Sequence, residues 1–132
     1  MLYRIDTAAG IVEVLGPGTL ADLETRVRRL LADPDYRQGF GFLRNRTGMA
    51  APSTQELRAM IEFLGRFEAL HGTRWAVVAT DPVNFGMMRM GEILAEPHGI
   101  MIAVFNDQDE AVRWLTEKPE PADSPTGTES GN

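Results

Sequence analysis

The sequence predicts a single α/β domain with covering helices on a mixed five-stranded sheet, in the order ββαβαβαβα, with an antiparallel first strand and the remainder parallel. Short apolar runs alternate with segments whose apolar residues recur every three or four positions, which is typical of strands connected by helices. A length of 132 residues, 43% of them hydrophobic, suits one core. The only marked change of composition follows residue 118, so we expect the domain over 1–118 and a disordered acidic tail over 119–132.

The chain begins with a predicted β-hairpin. Residues 2–6 and 11–15 are apolar-rich runs, and the four residues between them end in a glycine, as in a turn between antiparallel strands. Leucine and valine then recur at helical spacing, which predicts an amphipathic helix over 19–32 with Thr19 as its N-cap. An Asp-Pro pair directly after this helix ends it, because the residue before a proline disfavours helical backbone.

The middle of the chain predicts a strand, a long helix and another strand. The first strand covers 40–46. The helix begins at a capping box formed by Ser53 and Glu56, and we expect Gly72 to close it. The nearly unbroken apolar run over 75–80 is typical of a parallel strand that is covered on both faces.

The last part of the chain repeats the alternation. Asp81 and Pro82 form an N-cap and first-turn pair for a helix that runs to about Ala95. A strand over 100–105 then leads into a short helix around 111–115. Because crossovers between parallel strands are right-handed, this alternation favours one sheet, while the strand order beyond the hairpin stays open.

The composition excludes several classes of function. The chain has no cysteine, which rules out disulfides and cysteine-ligated metal centres. Its formal net charge is -6, so we expect no binding to nucleic acid. We also expect no signal peptide, no integral membrane segment and a cytoplasmic location. The histidines, His71 and His98, follow predicted helix ends without metal-ligand spacing, so neither a metal nor a cofactor is expected.

Three segments carry a resemblance to a known family: GFGFLRNRTG, WAVVATDPVNFGMMRMGEILAE and AVFNDQDEAVRWL. In this order, over residues 2–117, they resemble the SpoIIAA-like family of STAS-type domains and, more distantly, CRAL-TRIO lipid-transfer domains. The resemblance implies the fold described above and a regulatory or protein-interaction role similar to that of the antagonists of anti-sigma factors. It does not imply a catalytic mechanism.

The hydroxyl groups of Ser53 and Thr54 have two interpretations. Phospho-switch members of the wider STAS group carry an Asp-Ser-(Ser/Ala)-Gly signature where the third strand meets its helix, whereas this chain has MAAPST over 49–54. Helix capping by itself explains a hydroxyl at this place. A phosphate at the helix start would be stabilised by the helix dipole, so a regulatory phosphosite is the alternative.

The most unusual cluster is Met-rich and comprises Phe85, Met87, Met88 and Met90. Apolar side chains at 83, 87, 90 and 94 predict a core-facing stripe, which leaves Met88 outside it. Because flexible thioethers adapt to irregular partners, we interpret the cluster as a ligand-binding or partner-binding surface. Ordinary packing between helix and sheet is the alternative.

Arginines follow the third and fourth predicted strands. Arg46 ends the third strand, and Arg89 lies in the second turn of the helix after the fourth. Since the carboxyl ends of parallel strands face a common crevice, we expect these two side chains to converge on an anionic group, with Arg44 nearby. Alternatively, they are solvated or paired with Glu92 and Asp81.

Two functional hypotheses follow. The first is a noncatalytic regulatory or protein-interaction module of STAS type that acts through the surface around the Met-rich helix, as a homodimer. The second is a carrier of a small apolar or amphipathic anionic ligand, lipid-like in character, held beside the same helix. An enzyme is not expected, because no pair of titratable groups is placed by sequence for proton transfer.

Overall fold

The computed structural model describes residues 3–16 and 20–117. The strands are β1 (Tyr3–Asp6), β2 (Ile11–Val14), β3 (Gly41–Asn45), β4 (Arg74–Val78) and β5 (Met101–Phe105). The α-helices are α1 (Leu20–Leu31), α2 (Thr54–Gly65), α3 (Pro82–Ala95) and α4 (Gln108–Thr116), and short 3₁₀ turns cover Glu68–Leu70 and Glu96–His98.

The five strands form one sheet in the order β1-β2-β3-β4-β5. β1 pairs with β2 in antiparallel orientation, and each later strand pairs in parallel with the strand before it. The predicted α/β class, element order and mixed sheet are therefore confirmed. The strand order, which the sequence left open, follows the chain, so each crossover joins neighbouring strands.

The helices cover the two faces of the sheet unequally. α1, α2 and α3 share a buried apolar core with one face, and that core includes Val27, Leu57 and Met88. Right-handed crossovers that advance in one direction along a sheet place successive helices on the same face. α4 follows the last strand and packs on the other face through Ala111. We call these the three-helix face and the α4 face.

Local capping signals place two helix starts where the sequence predicts them. The Ser53 Oγ accepts a hydrogen bond from the Glu56 N–H at 3.1 Å, and the Glu56 carboxylate accepts one from the Ser53 N–H at 2.8 Å. Asp81 caps α3 by accepting a hydrogen bond from the Asn84 N–H at 2.9 Å. Both caps lie at the carboxyl end of the sheet, where they determine where the loops stop and the helices begin.

The end of α2 differs from the prediction. The helix ends at Gly65. A glycine is needed at this position because a Cβ there would lie 2.8 Å from the His98 Cβ. The His71 Nε2 forms a hydrogen bond with the Gly65 carbonyl at 2.8 Å, which secures this turn. Gly72 does have the positive φ expected of it, but it forms the turn into β4, where its N–H donates to the Gly99 carbonyl at 2.7 Å.

Two predictions fall on parts of the chain outside the described residues. These are the N-cap at Thr19 and the tail over 119–132.

Candidate ligand-binding site

A cavity of about 350 Å³ lies on the three-helix face, between α1, α2 and the sheet. Its apolar lining includes Leu23 of α1, Met60 and Ile61 of α2, and Trp75 of β4. Met49 and its neighbours in the loop between β3 and α2 line one end. Pockets for small molecules usually enclose roughly 300 to 1,000 Å³, so this cavity is large enough for a small ligand.

The side chains on the floor of the cavity are determined by the alternation of side-chain directions along the strands. In the register of the sheet, Arg44 of β3 lies beside Val14 of β2 and Val77 of β4, and all three residues line the cavity. Side chains that are in register on neighbouring parallel strands point to the same face. An arginine therefore lies between two valines in the middle of the sheet.

The electrostatic surroundings of Arg44 are unfavourable for its charge. Arg44 is half-buried, and its Nη1 donates a hydrogen bond to the Val14 carbonyl at 3.2 Å. Burial lowers the pKa of Arg44, and the neighbouring cations Arg46 and Arg26 lower it further. A guanidinium stays protonated in proteins. The lowered pKa therefore means that burial and the neighbouring cations raise the free energy of the positive charge on Arg44. An anion in the cavity would relieve this repulsion.

Arg46 is held at the same site by two hydrogen bonds. Its Nε donates to the Asn84 Oδ1 at 3.2 Å, and its Nη2 donates to the Ala50 carbonyl at 2.7 Å. Burial lowers the pKa of Arg46, while the carboxylates of Asp81 and Glu56 act in the opposite direction. Arg46 thus joins the end of β3 to the start of α3 and adds positive charge to the cavity lining.

Arg26 of α1 completes what we call the arginine cluster, which comprises Arg26, Arg44 and Arg46. Arg26 is only 9% exposed, and it lines the cavity. Sequence reasoning missed this residue, although a signal was present: Arg26 lies three residues after Leu23 and four before Leu30, on the apolar side of α1. A charged residue on the apolar side of an amphipathic helix indicates a polar site beneath it.

One carboxylate also lines the cavity, that of Glu56. Hydrogen bonds with Ser53 lower the pKa of Glu56, so this carboxylate is ionised and engaged in the helix cap. The capping interpretation of Ser53 is therefore confirmed. Thr54 is the exposed first residue of α2. A phosphosite at Ser53 or Thr54 stays a prediction.

The Met-rich segment is rotated relative to the prediction. Met88 is 4% exposed and lines the cavity, whereas Met90 is 39% exposed. Phe85 and Met87 are half-buried against the core. The predicted core-facing stripe at 83, 87, 90 and 94 is therefore wrong at 83 and 90, which are exposed, and in leaving out Met88, whereas Met87 and Leu94 do pack against the core.

The buried residues of α3 are Asn84, Met88, Gly91 and Ala95. The Asn84 amide donates to the Met49 carbonyl at 2.7 Å, and a polar side chain with its hydrogen bonds made can be buried. At Gly91, a Cβ would already be in van der Waals contact with Leu57 at 3.5 Å, so the glycine lets α3 approach α2. A pattern that counts only large apolar residues overlooks both positions.

Arg89 is not brought to the cavity with Arg46. Its side chain is 63% exposed, and its Nη1 lies 3.6 Å from the Glu92 Oε1. The alternative of a surface pair with Glu92 is what the structure shows, and Arg26 lines the cavity instead.

Residues 3–16 and 20–117 contain neither a metal site nor a membrane-spanning helix. No group of three or more His, Asp or Glu side chains in these ranges is placed to hold a metal ion. No helix in the same part of the chain combines the length and the apolar character needed to cross a membrane.

Comparison with protein-family models, curated proteins and solved structures found no match to this chain.

Proposed function

We propose that this protein binds and carries a small amphipathic molecule that has an apolar body and an anionic group. The observation that carries the proposal is the arginine cluster beside the apolar lining of the cavity on the three-helix face. The cavity lies between two helices and the sheet and is partly open, and of the Met-rich cluster only Met88 contributes to its lining.

The lining matches both parts of such a ligand. Leu23, Met60 and Trp75 offer apolar surface, and burying an alkyl or aromatic body against them contributes roughly 25 cal/mol per Å² of apolar area removed from water. Guanidinium groups bind oxyanions in a planar, two-point geometry. A carboxylate, a phosphate and a sulfonate share this chemistry, so the proposal specifies an oxyanion.

The electrostatics of the arginine cluster favour an anion over a neutral ligand. Arg44 lies next to two cations, and burial removes part of the water that would screen them from each other. An oxyanion bound beside Arg44 offsets the repulsion that Arg44 experiences from Arg46 and Arg26, and this gain adds to the apolar contacts. A neutral ligand of the same shape receives only the apolar contribution.

The proposal concerns binding without a chemical step. Guanidinium groups stay protonated at neutral pH, so the arginine cluster is suited to holding charge and not to proton transfer. The carboxylate in the lining, Glu56, has a lowered pKa and is engaged with Ser53, which makes it a poor general base.

The test is calorimetric titration of the purified full-length chain with decanoate and with decanol. The two probes share an alkyl chain and differ in charge. We expect decanoate to bind at least about tenfold more tightly than decanol, a preference of about 1.4 kcal/mol. In Arg44→Met most of that preference is lost, because the cavity keeps its volume and loses a central charge.

Two further variants make the test specific. Met60→Trp fills the cavity and should weaken the binding of both probes. Arg74→Met removes an arginine of β4 whose guanidinium bonds to α4, on the other face, so it should leave both affinities unchanged. Equal affinity for the two probes, or binding that is unaffected by both Arg44→Met and Met60→Trp, would contradict the proposal.

The regulatory or protein-interaction role implied by the resemblance to STAS-type domains stays a prediction, as does the cytoplasmic location. The carrier is favoured here because a particular cavity and a particular set of charges support it.

A further inference from the structure

The outer side of α3 carries a stripe of exposed residues that takes no part in the cavity. This outer stripe comprises Val83, Gly86, Met90 and Ile93 of α3 and is continued by Pro97 in the 3₁₀ turn that follows. Val83 is 68% exposed, Met90 39% and Ile93 73%, so large apolar side chains face solvent over most of the helix. At 3.6 residues per turn, the stripe lies on the side of α3 opposite the buried Met88.

The spacing of the outer stripe matches a helix seam. Its members are separated by three, four, three and four residues, which is the a/d pattern of a helix that packs along a second helix. The opposite side of α3 is already packed on α2 and the sheet, as Gly91 against Leu57 shows. A helix that is apolar on two opposite sides is typical of a helix buried on both.

The glycine at position 86 is consistent with close approach of a second helix to the outer stripe. It lies on the exposed side of α3, and a Cβ built there meets no atom within 4 Å. A glycine in a helix interior lowers helix stability by about 1 kcal/mol relative to alanine. Nothing within the described part of the chain requires a glycine at this position, whereas close approach of a second helix to the stripe would account for it.

Charges beside the outer stripe favour one occupant and one orientation. Arg89 and Glu96 are seven residues apart, so they lie on the same flank of the stripe; both are exposed, and Glu96 keeps helical backbone angles. When two copies of α3 pack antiparallel about a two-fold axis, with Met90 opposite the partner's Ile93, Arg89 faces the partner's Glu96. The symmetry forms this pair twice. In a parallel pair, the same flank would face Met87 and Leu94, which carry no charge.

We propose that the outer stripe is the interface of a homodimer in which two copies of α3 pack antiparallel. A single helix pair is at the small end of specific interfaces, so the dimer is reversible and depends on protein concentration. This inference is independent of the proposed ligand. Met88 is the one residue of α3 that lines the cavity, and it lies on the side of the helix opposite the outer stripe.

The test is sedimentation velocity of the full-length chain over a range of concentrations. The wild type should shift from monomer to dimer as concentration rises. Ile93→Glu should remove the dimer over the whole range, because it places a carboxylate in the seam. Leu20→Glu, which alters an apolar side chain that is 44% exposed on α1, is the matched control and should leave the dimer unchanged.

A charge exchange tests the orientation. Arg89→Glu should raise the dimer dissociation constant at least about tenfold, since it places two carboxylates opposite each other twice per dimer. The double variant Arg89→Glu with Glu96→Arg should restore the dissociation constant to within about threefold of the wild type. Arg58→Glu on the exposed side of α2 is the matched control and should have no effect.

Circular dichroism melting of each variant shows whether the monomer still folds. A wild type that stays monomeric at all concentrations overturns the proposal. A dimer that survives Ile93→Glu also overturns it, as does a double charge exchange that fails to restore association in a folded protein.

Discussion

The two faces of the sheet are built on the same five strands but are packed differently where helices cross β3 and β4. On the α4 face, Ala76 and Ala111 are fully buried, and a Cβ at Gly41 would lie 2.7 Å from Leu115, so small residues let α4 lie close to the sheet. On the three-helix face, α1 and α2 surround a cavity of about 350 Å³.

The difference separates a closely packed contact between a helix and the sheet from a region that keeps space for a ligand. Close packing maximises dispersion contacts and leaves little tolerance for added volume. A cavity forgoes those contacts, and the arginine cluster adds repulsion to the same region. We therefore expect equivalent changes on the two faces to have unequal effects.

The largest expected difference follows from adding volume. Ala111→Leu on the α4 face should lower the free energy of unfolding by about 1 to 3 kcal/mol, because the side chain is fully buried. Ala51→Leu makes the same change beside the cavity and should lower it by less than about 0.5 kcal/mol. Urea unfolding of both variants measures this. Equal losses would mean that the cavity side is as tightly packed as the α4 face.

The next largest difference in stability is expected between substitutions of two asparagines, Asn84 and Asn45. Asn84→Ala on α3 removes the donor to the Met49 carbonyl and the acceptor for Arg46, in a side chain that is 1% exposed, and should lower the free energy of unfolding by about 1 to 3 kcal/mol. Asn45→Ala removes an exposed hydrogen bond to Gln108 and should lower it by less than about 1 kcal/mol. Thermal unfolding monitored by circular dichroism ranks the two variants, and the reverse order would contradict the polar network at the cavity end.

Arginines on the two faces should have effects of opposite sign. The Arg74 Nη1 donates to the Trp114 carbonyl at 2.8 Å, and its guanidinium lies 5.2 Å from the Trp114 ring centroid, so Arg74→Met should lower the free energy of unfolding by about 1 to 2 kcal/mol. Arg44→Met should leave it unchanged or raise it by up to about 1 kcal/mol, because solvent screening limits the repulsion that it removes.

Unfolding in urea without added ligand provides this measurement. A loss of stability in Arg44→Met as large as that in Arg74→Met would show that the arginine cluster serves the fold and not a ligand.

The smallest expected effect is a fall in the free energy of unfolding at alkaline pH, caused by a tyrosine on the three-helix face. Both tyrosines of the chain, Tyr3 and Tyr36, pack there. Burial, followed by the hydrogen bond and the charge of Asp33, raises the pKa of Tyr3 from 10.0 to about 12. Between these values the folded protein keeps the phenolic proton while the unfolded chain releases it, so the stabilisation is complete below about pH 10 and is lost as the pH rises toward about 12.

Urea unfolding at several pH values between about 9 and 11 should show this decline, and Tyr3→Phe should reduce its slope. Identical slopes in the wild type and in Tyr3→Phe would show that the bond from the Tyr3 hydroxyl to Asp33, 2.8 Å long, does not perturb the phenol.

The caps at Ser53 and Asp81 were predictable because a cap depends on residues three positions apart. The rotation of α3 was not, since it depends on partners distant in sequence: the Met49 carbonyl for Asn84 and Leu57 for Gly91. The end of α2 was misplaced for the same reason.

Part of the candidate site could be predicted from the sequence. Arg44 and Arg46 were singled out by their place at the end of a strand, and Arg26 was detectable as a charge on the apolar side of α1. Arg89 was expected beside Arg46 because both follow parallel strands, but side-chain direction depends on helix rotation, and Arg89 points to solvent beside Glu92.

The sequence by itself determined the element order, the helix caps and the mixed character of the sheet, because periodicity and capping act within a few neighbouring residues. The tertiary structure alone decided which side of α3 is buried, which arginines meet and where space remains between α1 and α2. These features depend on contacts between segments that are tens of residues apart, and such contacts leave no local pattern in the chain.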